Sequence, residues 1–379
     1  MKKQKTIKFH LHPSSSLPFP RPTDQQIMEA EIINLTKVWL TVFISLGYCH
    51  ATAKLLNPGP ARFLAIAPVV LIFFLLPLQL TSIHFGGATC FFVTWLATFK
   101  LLLLTAGDGP LSTTPPLPLH RFIAISCLPI KILENPSEKS APKNNRAETL
   151  NEKPKSFLNY SIRALIVVLM VKLYDYSHFF HPKLVLFIYS WHVYLLLEII
   201  LAITQFFGRN LLGIELEPQF RDPYYSTSLQ DFWGRRWNLM ATNILQPAVY
   251  KPTVKIAARV IGRMWAPLPG VMATFLVSAM MHELIFYYLG RMRPNWEITW
   301  FFVIHGIALT VEIMMKKMLP EKRRLPAKVS VPVTLVFIFS TAIWLFFPQF
   351  VRLRLDVRAF EEYAALANFV KKVAFSLVG

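Results

Sequence analysis

Cysteine is scarce. Cys49, Cys90 and Cys127 are the three in 379 residues. Each lies in or beside an apolar run and none is spaced as a metal-binding pair, so neither a disulfide framework nor a zinc knuckle is readable. Acidic residues are few as well, 21 against 40 Lys and Arg, and charged positions make up 16% of the chain, whereas a soluble domain carries about 25%. With 54% hydrophobic residues, a water-soluble single-core protein is excluded as the default. The formal charge of +19 would suit nucleic acid, but the cations sit between long apolar runs. No nucleic-acid partner is therefore expected, and the lipid bilayer and anionic substrates are. A GxSxG elbow, a GxxxxGKS/T phosphate loop and a GxGxxG turn after a strand are all missing. Serine hydrolase, P-loop NTPase and Rossmann oxidoreductase chemistry are left without support.

The chain is rich in apolar runs instead. A helix needs about twenty residues to cross roughly 30 Å of hydrocarbon. Such runs fall at 33–55, 63–80, 87–106, 157–175, 183–204, 268–289, 296–315 and 330–350. The expected fold class is all-α, a polytopic transmembrane helix bundle of about eight spans with interfacial helices. Pro68, Pro77 and Pro332 lie inside spans and predict kinks. Segment 121–130 is too short to cross. Segment 242–265, punctuated by Lys251, Lys255, Arg259 and Arg263, and the stretch from Asp356 read as interfacial helices.

Residues 1–27 hold Lys2, Lys3, Lys5, Lys8 and the run HPSSSLPFPRP, without the apolar centre of a secretory signal. They read as a basic, disordered or targeting extension. Residues 28–379 form one domain, with 107–156 as a mobile polar loop and 205–290 as the region that carries chemistry. Loops 205–267 and 316–328 fall on one side and are strongly basic, which makes that face cytosolic by the positive-inside rule.

A charged group inside a span costs about 2.5–3.5 kcal/mol and marks a functional site by default. The candidates are Lys100, Arg163, Lys172, His192, Glu198, His282, Glu283, His305 and Glu312. The three cations lie near span ends and are expected to snorkel. His282 lies deep in VMATFLVSAMMHELIFYYLG, one turn after the small Ser278 and Ala279. A cavity there would place a reacting hydroxyl beside an imidazole base; the plainer reading is a core histidine with satisfied hydrogen bonds. Glu283 points about 100° away around the helix and is expected to bond Tyr287. His282-Glu283 begins an HExxH motif, but Phe286 stands where the second ligand must be, so no metal site is expected. His178 and His181 form a lone HxxH pair, read as interfacial and structural. His305 and Glu312 share a helix face and either line one cavity or pair through water.

The most distinctive stretch is SLQDFWGRRWN, Ser228 to Asn238. In one reading Asp231 and Arg235 form an i,i+4 ion pair and Trp233 and Trp237 are interface anchors. In the other, Arg235 and Arg236 face an anionic head while Asn238 steadies a carbonyl or His282.

That block, followed by NILQPAVYKP and then SAMMHELIFYY, resembles the plant wax synthase-like branch of the membrane-bound O-acyltransferase family. The start MEAEIINLTKVWLTVFISLGYCHA shares the resemblance, which runs from Met28 to the last span. It implies a multi-helix enzyme of the endoplasmic reticulum membrane that moves a fatty acyl group from acyl-CoA to a lipophilic alcohol. The implied acceptor is a long-chain alcohol, giving wax esters, or alternatively a sterol or terpenoid. Acyl-CoA is a co-substrate and no bound cofactor is implied. By motif, His282 corresponds to the family's intramembrane histidine and Asn238 to the polar residue of its tryptophan-rich block. Related branches write that block closer to aromatic-Asp-Trp-Trp-Asn, which makes Asp231 the rival for Asn238. Trp233, Arg235, Arg236, Trp237, Ser278 and His305 complete the expected substrate-binding set. The competing class is a proton-coupled transporter relaying through His282, His305 and Glu312.

Overall fold

The computed structural model describes residues 24–128, 157–212, 219–318 and 325–378, and every regular element among them is helical. Most of the basic extension and residues 129–156 of the polar loop lie outside the described residues.

Among the described residues seven helices are long and apolar enough to cross a membrane. Their spans are Gln26–Leu55, Pro60–Gln79 (α2), Ile83–Thr105 (α3), Pro182–Thr204, Pro267–Gly290 (α9), Glu297–Met318 (α10) and Ala327–Arg352 (α11). The first belongs to α1 (Asp24–Leu55) and the fourth to α6 (Pro182–Leu212). Seven of the eight expected runs are matched. The remaining one forms α5 (Phe157–Tyr174), which carries Arg163 and Lys172 and is not among the seven. It pairs with α6: Arg163 meets the Glu198 carboxylate, and the Tyr174 hydroxyl lies 2.9 Å from Nδ1 of His192. Between the spans lie α4 (Leu119–Cys127), α7 (Leu239–Leu245) and α8 (Lys251–Trp265), and α12 (Leu355–Val378) closes the chain.

The surface follows the solvent that the apolar runs imply. On α1, Leu40, Phe43, Ile44 and Tyr48 are exposed while Val38, Val42, Leu46 and Cys49 are buried. On α10, Trp300, Ile307, Val311 and Met315 face outward and Phe301, Phe302, His305 and Leu309 inward. Rings of exposed large apolar side chains belong in hydrocarbon rather than water. On α8, Ile256, Val260 and Met264 are exposed together with Lys251, Lys255, Arg259 and Arg263, the pattern of a helix lying in the headgroup plane.

Two cores meet in the middle. One is built by α1 to α4 around Val42, Phe73, Val93, Leu101 and Phe122. The other gathers Leu229, Phe232, Phe275, Phe286, Phe302 and Leu345 from the C-terminal half. A third cluster joins them: Trp95 and Leu96 of α3, Met240 and Ile244 of α7, and Met281 of α9.

Lys100 departs from the expectation of snorkelling. It is buried, and its Nζ donates to the carbonyls of Ile125 and Leu128 at the end of α4. The last carbonyls of a helix have no partner within it, and the helix dipole favours a cation there. The described part of the short segment, residues 121–128, is thereby part of the N-terminal core. The 81–84 turn is held by Glu31, which accepts from the backbone of Thr81 and Ser82, and by Glu362 of α12, which accepts from Ser82 Oγ, His84 Nδ1 and the amides of Ile83 and His84. Burial alone would push the Glu362 carboxyl up; those four donors outweigh it and hold the group below its ordinary value.

Candidate active site

Phe275, Ala279 and Phe286 bury the inner face of α9, while Leu276, Met280 and Tyr287 face outward. His282 lies on the inner side, half-buried, with its ring against Phe302 (centroids 4.5 Å apart), Phe346 (6.0 Å) and Trp95 (6.4 Å). Its Nδ1 is 2.7 Å from the carbonyl oxygen of Ser278. A carbonyl can only accept, so Nδ1 carries the proton and Nε2 carries the lone pair. Among the described residues nothing bonds Nε2. Ser278 thus acts through its backbone, one turn back, by fixing the ring and its tautomer.

His305 is the opposite case. Trp233 Nε1 lies 3.1 Å from its Nδ1, and an indole can only donate, so Nδ1 of His305 is the acceptor. Its Nε2 then donates to Thr341 Oγ1 at 2.8 Å, and that hydroxyl donates to the Phe337 carbonyl at 2.8 Å. The ring is fully buried and both nitrogens are used. Of the two histidines, His282 alone keeps a ring nitrogen that no described residue bonds.

Glu312 and His305 do not pair with each other. Glu312 accepts from the amides of Leu229 (2.8 Å) and Gln230 (3.2 Å) and from Lys316 Nζ (2.7 Å), a carboxylate at the positive end of the short turn Leu229–Asp231. Two turns along α10, His305 holds Trp233. The shared helix face therefore clamps the Ser228–Asn238 block at two points, which leaves neither residue placed for a proton relay. Lys317 meets the Met264 carbonyl at the same end of α10, so the last turns of α8 and α10 lie together. Glu283 is structural as expected but through a different partner: it accepts from the amide (3.0 Å) and hydroxyl (3.1 Å) of Thr299 at the start of α10, not from Tyr287. The first amides of a helix lack internal acceptors, and Glu283 supplies one. His181 caps the start of α6, its Nδ1 accepting from the Lys183 amide.

The expected Asp231–Arg235 pair does not form. Asp231 binds Arg236 Nε at 2.8 Å, because Phe232–Arg236 is a π turn in which the Trp237 amide bonds the Phe232 carbonyl. In such a turn the fifth residue on, rather than the fourth, comes round to the same side. Arg236 also reaches the carbonyls of Arg221 and Asp222, so it braces the loop. Arg235 is exposed and is the arginine left facing outward. Trp233 packs among Phe275, Phe301 and Phe302, and Trp237 stacks on Phe232 (5.3 Å, 15°) and Tyr194 (6.0 Å, 28°). Asn238 adopts φ 45° and caps α7, its Oδ1 accepting from the Ala241 amide at 3.2 Å. The left-handed region admits Asn more readily than most residues. Its Nδ2 makes no bond among the described residues.

Sequence reasoning missed Trp95, Phe302 and Thr341. No local pattern marks them, since each earns its place by a contact with a residue distant in the chain. One local signal was available for the loop: Ser228-x-x-Asp231 has the capping-box spacing, and Ser228 Oγ accepts from the Asp231 amide while Asp231 reaches back one residue further, to the Thr227 amide.

Residues 216–304, from the loop to the inner part of α10, match the model of the membrane bound O-acyl transferase family. The segment contains Asn238, His282, all of α9 and α10 as far as Ile304. An acyl-CoA–sterol O-acyltransferase of Arabidopsis thaliana is 47% identical over 89% of this chain and 96% of its own. A long-chain-alcohol O-fatty-acyltransferase of Simmondsia chinensis is 39% identical over 93% of this chain and 99% of its own. With identity at that level over nearly the whole length of both relatives, the chain belongs to the membrane-bound O-acyltransferase family, in its plant wax synthase-like branch.

Proposed function

We propose that the protein transfers a fatty acyl group from acyl-CoA to the hydroxyl of a lipophilic alcohol in the endoplasmic reticulum membrane, with His282 as general base. The observation that carries this reading is the fixed tautomer: Nδ1–H bound to Ser278 leaves the lone pair on Nε2, of a half-buried ring set in the aromatic niche of Phe302, Phe346 and Trp95. The alcohol gives its proton to Nε2 as its oxygen attacks the thioester carbon. The tetrahedral intermediate collapses, the carbon–sulfur bond breaks, and the imidazolium returns the proton to the leaving thiolate. No acyl-enzyme is needed, because the thioester is already activated. The surrounding Phe and Trp side chains exclude water, which would otherwise hydrolyse the same bond. The exposed Arg235 is the cation of the block offered to the phosphates of coenzyme A.

A sterol acceptor is the first reading, supported by 47% identity to the sterol acyltransferase against 39% to the long-chain-alcohol enzyme. The latter's match over nearly its full length supports a long-chain alcohol, and so wax esters, as the second. Purified protein in nanodiscs, given palmitoyl-CoA and equal amounts of a sterol and an octadecanol, is expected to make mainly steryl ester. Predominant wax ester moves the assignment to the second reading, and no ester of either kind ends both.

Asn238 has two separable duties in this scheme. Asn238→Asp keeps the acceptor that caps α7 and loses the Nδ2 donor to the reacting carbonyl. We expect an unchanged melting temperature with kcat lower by about tenfold or more, the direction expected for a lost transition-state donor. Unchanged kcat would leave Asn238 as a cap only.

A further inference from the structure

We propose that Trp95 is a further catalytic residue, its indole Nε1–H donating to the carbonyl oxygen of the acyl thioester and holding the negative charge which that oxygen gains on attack. This rests on the acyl transfer proposed above.

Trp95 is 3% exposed, and its Nε1 is a buried donor without a hydrogen-bond partner among the described residues. Buried polar groups in native proteins are nearly always bonded, and an exception calls for a cause. Its surroundings supply one. The indole lies 6.4 Å from the His282 ring, centroid to centroid, and shares one buried cluster with Met281 of α9, the residue next to His282. Met240 and Ile244 of α7, the helix that Asn238 caps, belong to the same cluster. The orphan donor therefore stands beside the His282 ring, in the cluster that joins α9 to α7, the helix which Asn238 opens. It is carried there by a π-helical stretch, Cys90–Ala97, inside α3. Such wide turns recur at functional sites.

The chemistry narrows what this donor can bind. An indole N–H neither accepts a proton nor readily loses one, so it cannot substitute for His282. Donation to the alcohol oxygen would weaken the nucleophile. The remaining oxygen in the reaction is the thioester carbonyl, which becomes an alkoxide as the carbon–oxygen bond forms and returns to a carbonyl as the carbon–sulfur bond breaks. A donor fixed in apolar surroundings stabilises that charge more than it stabilises the neutral carbonyl.

The test compares the full-length protein with Trp95→Phe and with Trp95 replaced by 3-benzothienylalanine, which keeps the bicyclic ring and exchanges N–H for sulfur. With palmitoyl-CoA and the preferred alcohol, both variants are expected to lose about 100-fold in kcat, with KM for palmitoyl-CoA within about threefold of wild type. The benzothienyl protein should melt near the wild-type temperature, so it carries the test if Trp95→Phe folds poorly. Wild-type kcat in the benzothienyl protein overturns the proposal, as does a raised KM with kcat held. Failure of the unaltered protein to make any ester overturns the acyl-transfer reading itself, which distinguishes the two.

Discussion

Replacing His282 by Ala is expected to lower kcat for ester formation by roughly 10²–10⁴-fold, the usual contribution of a general base. The structure makes the expectation specific to this histidine. Nδ1 is committed to the Ser278 carbonyl, which leaves the lone pair on Nε2. Among the described residues the ring makes no hydrogen bond between helices, so its removal leaves their polar network intact and creates a gap beside Phe302. Thermal melting should show a protein that is folded and somewhat less stable, as for any large-to-small change in a packed interior. Added imidazole, small enough for that gap, should restore part of the rate. Undiminished turnover in a folded His282→Ala protein would remove this residue from the chemistry and leave the mechanism without a base.

The bundle was legible because hydrocarbon thickness and helix rise leave a narrow range of run lengths, and the runs here are long and clean. His282 draws attention for a related reason: a titratable group in the middle of such a run stands out. What could not be read was partnership. Lys100 read as a snorkelling cation because nothing local reveals that the end of α4 folds back over it. Glu283 was assigned to Tyr287, the neighbour a straight helix offers, whereas the start of α10 competes with a backbone amide and a hydroxyl at once. Asp231 and Arg235 obey the i,i+4 rule, but the rule assumes α geometry and the chain makes a π turn there. Trp95 carried no signal at all, since its neighbourhood exists only when α3, α7 and α9 meet.

The corrected partners share a direction. Glu312, His305 and Lys316 on α10 all act on the Ser228–Asn238 block, and Asp231 and Arg236 brace it from within. The most distinctive stretch of the sequence is thus fixed as a rigid body against α10 before any substrate arrives. Its end, Asn238, then opens the helix that packs against Trp95. Positioning of that kind matters because a displacement near 1 Å can cost about 10²-fold in rate.

His305 tests this directly. In His305→Leu the Nε1–H of the half-buried Trp233 loses its acceptor, while Thr341 keeps its own donation to Phe337. One orphaned buried donor costs about 1–3 kcal/mol, and the loop is free to shift to relieve it. We expect a lower melting temperature and a loss in kcat approaching 10²-fold. His305→Gln should recover much of both, because its amide oxygen can accept from Trp233 and its amide nitrogen can donate to Thr341. A residue that took or relayed protons would not be rescued in this way, since an amide does not titrate. Rescue by Gln therefore marks His305 as a positioning residue. Inactivity of a well-folded Gln variant would return His305 to the chemistry, and wild-type behaviour of His305→Leu would show that the Trp233–His305–Thr341 chain holds nothing the reaction needs.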